Sequence, residues 1–282
     1  MSVSDDAADA YCRELTKRHY ENFIVASGLV NGRTRLDLAR IYAFCRTTDD
    51  LGDESGSADE ALERLERWRA DLHAMFAGKL PVHPALLALR ETVARMAMTP
   101  QPFFDLIEAN RLDQRVSTYE TWPQLEAYCR LSAAPVGRMV LTVFDVRSAD
   151  AQLLSDDVCI GLQLANHAQD VKRDGLLGRR YILGEDLARS DTPTAVSELV
   201  DRARRLLDSG RSLETMVPLA LRMQLALYRL GGLAICDAIE RIAFRTDQQR
   251  PVVTGRDKVA ILMRAIGGSL RSGKSGRYVG ST

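Results

Sequence analysis

Apolar residues in this chain recur every three to four positions, and nowhere do they alternate in twos. In ADEALERLERWRADLHAMFAG, residues 58–78, Leu62, Leu65, Trp68, Leu72 and Phe76 fall on one side of a helix and charged residues fill the rest. Long stretches of Ala, Leu, Arg and Glu repeat this habit, β-branched runs are scarce, and aromatics make up only 6% of the chain. There is no repeat period. A chain built this way has to bury helix stripes against helix stripes. The expectation is an all-α fold of roughly eight to ten helices, a single domain over 1–266. A Gly/Ser-rich basic tail, 267–282, is expected to be flexible.

Turn residues divide the pattern. Helices are expected over 7–27, ended by Gly28 and the following NGR, and over 34–53, broken at Ser55–Ser57. Others are expected from 58, behind Pro84, behind Pro102 and from Pro123, with a kink at Ala134–Gly137. One long helix is expected over 151–174, then a loop, then helices over 193–209, 211–243 and 255–266.

Composition excludes some functions. Lys plus Arg equals Asp plus Glu at 38 each, so no broad basic field is available for nucleic acid. The five cysteines are scattered with no CxxC pair, as expected of buried thiols in a reducing cytoplasm. The acidic start MSVSDDAADAYC has no apolar core of a signal peptide. The most apolar stretch, residues 216–235, is interrupted by Arg222 and Arg229, so no transmembrane span is expected.

The chemistry is concentrated in acids. CRTTDDLGDE, residues 45–54, places Asp49, Asp50, Asp53 and Glu54 directly after an apolar segment. Asp49 and Asp53 are one helical turn apart and share a face. In NHAQDVKRD, residues 166–174, Asn166, Asp170 and Asp174 follow at i, i+4 and i+8. Two helices carrying such stripes could face each other across a bundle. Hard oxygen donors suit Mg²⁺, which keeps several waters and shares substrate phosphates. A diphosphate cannot bind acids directly, but it can bind through bridging cations. A single DxxxD is more often a solvated face; two sets, each behind an apolar run, point to metal.

These residues resemble the squalene/phytoene synthase family of head-to-head prenyl transferases. YAFCRTTDDLGDE is similar to its first Asp-rich motif and LQLANHAQDVKRD to its second, and order, separation and length fit as well. HYENFIVAS (19–27), YCRLSAAPVGR (128–138) and DAIERIAFRTDQQRP (237–251) resemble the bacterial hydroxysqualene synthase branch, associated with hopanoid biosynthesis. The resemblance implies an isoprenoid-synthase helical bundle with a central cavity, and Mg²⁺, three ions, held by Asp49, Asp53, Asn166, Asp170 and Asp174. It implies ionisation of presqualene diphosphate and capture of the cation by water, without NADPH. The alternatives are a condensing prenyl transferase and, remotely, a non-catalytic helical binding subunit.

Beside the acids the same resemblance marks His19, Arg46, Arg179, Arg180 and Tyr181 for diphosphate. Arg46 either grips the diphosphate or pairs with the acids. Asp50 and Glu54 either support the ligands or are simply exposed. Tyr42 either lines the cavity or donates to a phosphate oxygen. Gln163 either contacts substrate and the attacking water or is a core polar residue. Phe23, Tyr128, Val136, Gly137 and Leu162 either line a cavity or pack helices. Many relatives carry Arg and Glu where this chain has Gln169 and Arg173; losing the Arg fits an enzyme that handles a single diphosphate. The loop after the second motif, GRRYILGED, lacks the usual Pro. The implied location is cytoplasmic. The oily substrate suggests transient contact with a membrane surface, helped by Arg271, Lys274 and Arg277.

Overall fold

The computed structural model describes residues 4–18 and 30–272, with side chains to residue 267. Among them are fourteen α-helices and no strand; one parallel bridge joins Thr118 to Arg180. The chain divides into two compact units, Met1–Ser117 with Glu126–Ser148, and Thr118–Leu125 with Ala149–Thr282.

The first unit contains α1 (Asp5–Arg18), α2 (Gly32–Asp53), α3 (Ala58–Phe76), α4 (Pro84–Met96), α5 (Gln101–Asp113), most of α6 (Trp122–Ser132), and α7 (Ala134–Val143). Its starts are local chemistry. Asn31 accepts from the Thr34 amide at 2.8 Å, Ser57 accepts from the Glu60 amide at 3.2 Å, and Pro84 opens α4 where no amide donor is needed. Helix α2 is the central rod, packed by α1, α3, α4, α5 and α7. Phe44 stacks on Trp68 at 5.7 Å and meets Phe103 edge-on at 5.1 Å. Leu65, Leu72, Leu86, Leu89 and Ile107 close the core, each worth about 2 kcal/mol of apolar burial.

The second unit contains α8 (Ala149–Gln169), α9 (Val171–Leu176), α10 (Gly184–Leu187), α11 (Thr192–Ser209), α12 (Leu213–Met216), α13 (Leu219–Arg241) and α14 (Gly255–Ser272). Helix α8 packs along α11 and α13. Small residues allow the approach: a Cβ on Gly161 would meet Leu207 at 2.9 Å and the Ala203 carbonyl at 3.1 Å. By length and composition α13 is the one helix among the described residues that could cross a membrane. It packs instead on α8, α11, α12 and α14, and its buried Arg229 pairs with Glu214 at 2.7 Å.

Four boundaries differ from the sequence expectation. The kink at Ala134–Gly137 is a full break: α6 ends at Ser132, and Pro135, having no amide proton, sits in the first turn of α7. The helix over 151–174 is two, because Asp170 leaves helical geometry at φ −102°, ψ 16° and the Lys172 amide bonds the Thr246 carbonyl instead of its own helix. The helix over 211–243 divides at Val217–Pro218. Helix α14 runs to Ser272, six residues past the expected end. Residues 19–27 of the opening helix and 273–282 of the tail lie outside the described residues.

Candidate active site

The first acid motif is the C-terminal end of α2. Asp49 and Asp53 occur in successive turns, and both side chains reach solvent. Protein packed around the Asp49 carboxylate partly desolvates it. That desolvation, together with the negative charge of Asp53, pushes its carboxyl up to about 6, while a hydrogen bond from Asn110 works in the opposite direction. Asn110 Nδ2 donates to Asp49 Oδ1 at 3.2 Å, and Gln114 Nε2 to the Gly52 carbonyl at 3.2 Å. The donors come from the last turn of α5 and the residue capping it, and they fit because residue 52 has no side chain: a Cβ there would lie 2.7 Å from Asn110 Oδ1.

Arg46 turns to Asp50 at 2.5 Å and to Glu54 at 3.6 Å. The pairing role left open by the sequence is therefore filled, and Asp50 and Glu54 serve it. Its Nε is buried with no hydrogen-bond partner. Tyr42, one turn earlier, is buried; desolvation holds its hydroxyl protonated well past neutral pH. Tyr128 donates to Asp113 at 3.0 Å, and Val136 rests against the core of the first unit. Gly137 is half-buried early in α7. His19 and Phe23 lie outside the described residues.

The second motif is the α8–α9 junction. Asn166 is exposed, Asp170 half-buried at the break, and Asp174 half-buried one turn on. Burial, then the charge of Asp170, lifts Asp174 to about 6; Arg173 and Arg179 oppose this. The segment 246–251 holds the junction open. Arg250 bonds the Asp170 carboxylate through Nε and the Gln169 side-chain oxygen at 3.3 Å, and Gln169 Nε2 donates to the Pro251 carbonyl at 3.0 Å.

The following loop is tied back onto α8 by aromatic rings. Tyr181 stacks on the buried His167 at 3.6 Å and on Tyr119 at 5.7 Å. Burial lowers His167 to about 3, so this ring is neutral. Arg179 donates its amide to the Asp174 carbonyl at 2.8 Å. Arg180 is directed to Glu120 at 2.6 Å and the Ile182 carbonyl at 2.7 Å. Gln163 and Leu162 are half-buried on α8.

Asn110, Gln114 and Arg250 are the polar residues that sequence reasoning missed. Nothing local marks the first two, an ordinary position on α5 and the residue that caps it. Arg250 lies in the 237–251 stretch that resembles the family, where two glutamines and a proline around it are the one available signal. Among the described residues no three His, Cys, Asp or Glu side chains form a ready-made metal cluster. Each motif instead offers two or three hard oxygens, the share that Mg²⁺ takes from protein when waters and phosphates complete its shell.

The model of the squalene/phytoene synthase family matches residues 16–257. The chain is 32% identical to a hydroxysqualene synthase of Sinorhizobium fredii, over 93% of this chain and 84% of that protein. It is also 32% identical to a phytoene synthase of Arthrospira platensis, over 67% of this chain and 65% of that one. Among solved structures it is similar to squalene synthase HpnC of Alicyclobacillus acidocaldarius, with 43% identity, 86% of this chain and 97% of that chain covered, and a TM-score of 0.80.

Proposed function

The chain belongs to the squalene/phytoene synthase family, and from that premise we propose that it is a hydroxysqualene synthase. It ionises presqualene diphosphate and captures the cation with water. The observation that carries the reading is a pair of carboxylates in each motif, where burial first and the neighbouring acid second lift Asp49 and Asp174 to about 6. Carboxylates held together at such cost are relieved by a divalent cation.

Asp49 and Asp53, and Asn166, Asp170 and Asp174, would hold Mg²⁺. When bound, Mg²⁺ neutralises the diphosphate and draws electron density from the breaking C–O bond. Arg46 keeps its unpartnered Nε for a phosphate oxygen while its Nη2 restrains Asp50 and Glu54. Tyr42, protonated across neutral pH, is a donor to the same group. Asn110 and Arg250 set the rotamers of Asp49 and Asp170. Arg179 and Arg180 serve the leaving group, Arg180 on release from Glu120. Heterolysis sends the electron pair to the diphosphate and leaves a cyclopropylcarbinyl cation. One water adds to the rearranged cation, Gln163 orients it, and the proton it loses goes to the released diphosphate. No nicotinamide enters.

The fit to phytoene synthase at equal identity favours one second reading, condensation of two prenyl diphosphates. Product analysis decides. Purified protein given presqualene diphosphate and Mg²⁺ should release hydroxysqualene and diphosphate, with no dependence on NADPH. A C30 or C40 product from farnesyl or geranylgeranyl diphosphate alone would overturn the assignment. The five free thiols support a reducing compartment, and the oily product supports transient contact with a membrane surface.

A further inference from the structure

Helix α14 leaves an apolar stripe uncovered. Val259, Leu262, Met263 and Ile266 recur at i, i+3, i+4 and i+7, and are 63%, 43%, 64% and 39% exposed. The other side of the helix faces α13: Ala265 is buried, and Asp257 pairs with Arg241 at 3.0 Å. Arg256 and Lys258, both exposed, fall on either side of the stripe, and Arg264 is exposed as well.

Charge is segregated here in a chain whose total is zero. From residue 255 onward the sequence carries six basic residues (Arg256, Lys258, Arg264, Arg271, Lys274 and Arg277) against one acid, Asp257, which Arg241 already neutralises. An exposed apolar stripe bordered by cations is the pattern of a helix lying in the plane of an anionic bilayer surface. A second copy of the same face is disfavoured, since two-fold pairing would set cation against cation.

We infer that the Val259–Ile266 face of α14 docks the protein on anionic phospholipid, apolar side chains in the headgroup boundary and basic residues on the phosphates. Membrane contact belongs to the functional reading above; the element that makes it is the new step. Docking there sets the enzyme on the surface that holds its oily substrate and product.

Full-length protein is sedimented with phosphatidylcholine vesicles, with and without about 30% phosphatidylglycerol. Binding is expected to the anionic vesicles alone and to fall at least tenfold at about 0.5 M salt. Leu262→Gln/Met263→Gln and Arg256→Glu/Lys258→Glu should each lower it about tenfold, with circular dichroism and turnover of detergent-dispersed substrate unchanged. Equal binding to neutral vesicles, unchanged binding by both variants, or loss only on deleting 273–282 would overturn the assignment to this face. So would self-association of the native chain that the Leu262/Met263 variant abolishes. Native protein that turns over substrate but binds no vesicle refutes the helix alone; native protein that binds anionic vesicles but forms no hydroxysqualene refutes the reaction alone.

Discussion

Gly52→Ala tests how the first acid motif is held. The backbone at residue 52 is ordinary helix, so alanine should gain about 1 kcal/mol of helix propensity. Against this, the new Cβ would lie 2.7 Å from Asn110 Oδ1 and 3.5 Å from Gln114 Nε2. Asn110 is buried and cannot turn aside without releasing both Asp49 and the Leu106 carbonyl. A bond to a charged acceptor is worth about 1.5–3 kcal/mol and a neutral one about 1. The net cost is therefore about 2 kcal/mol, read as a lower urea midpoint at unchanged slope. The control is the same substitution in an Asn110→Ala background, where the clash is gone and Gly52→Ala should be neutral or stabilising by about 1 kcal/mol. The single variant should also need more Mg²⁺ for half-maximal turnover, because Asp49 has lost its donor. Equal costs in both backgrounds, or a single variant as stable as the native chain, would refute the packing argument.

Other expectations rest on separate contacts. Asp49 and Asp174 sit near 6 against an ordinary 3.8, so their protonated forms are favoured in the folded chain. That stability is present below 3.8 and lost as pH rises towards 6; without Mg²⁺ the native urea midpoint should fall over this range more steeply than that of Asp49→Asn/Asp174→Asn. Arg250→Gln removes the bonds to Asp170 and Gln169. It should cut kcat more than tenfold with a melting shift of a few degrees, and Arg250→Lys should rescue it only partly because the planar fork is gone. Trp68→Phe deletes the 2.9 Å bond from the indole to Thr48 and leaves a gap beside Phe44, for a loss of about 1–2 kcal/mol by urea titration.

Much of the architecture was legible because it is local. The spacing of Leu65, Trp68 and Leu72 becomes the buried face of α3. Asn31, Ser57 and Pro84 start helices close to where capping chemistry puts them. Both acid motifs were legible too, since carboxylates one turn apart need no tertiary information. The breaks were not. Asp170 leaves the helix because a segment about eighty residues away supplies Arg250 and the Thr246 carbonyl, and no local propensity encodes that. Arg46 shows the same limit: its spacing fits both roles, and the observed pairing with Asp50 and Glu54 followed only from side-chain geometry.

The sequence by itself determined helix class, the positions of the two acid sets and the neutral total charge, because each depends on residues within a turn or two of one another. Tertiary structure decided which polar group each acid meets. It placed Asn110 over Gly52 and Arg250 on Asp170, stacked His167 on Tyr181, and left one face of α14 bare. Those outcomes follow from long-range packing, where shape and desolvation select among contacts that local spacing permits equally.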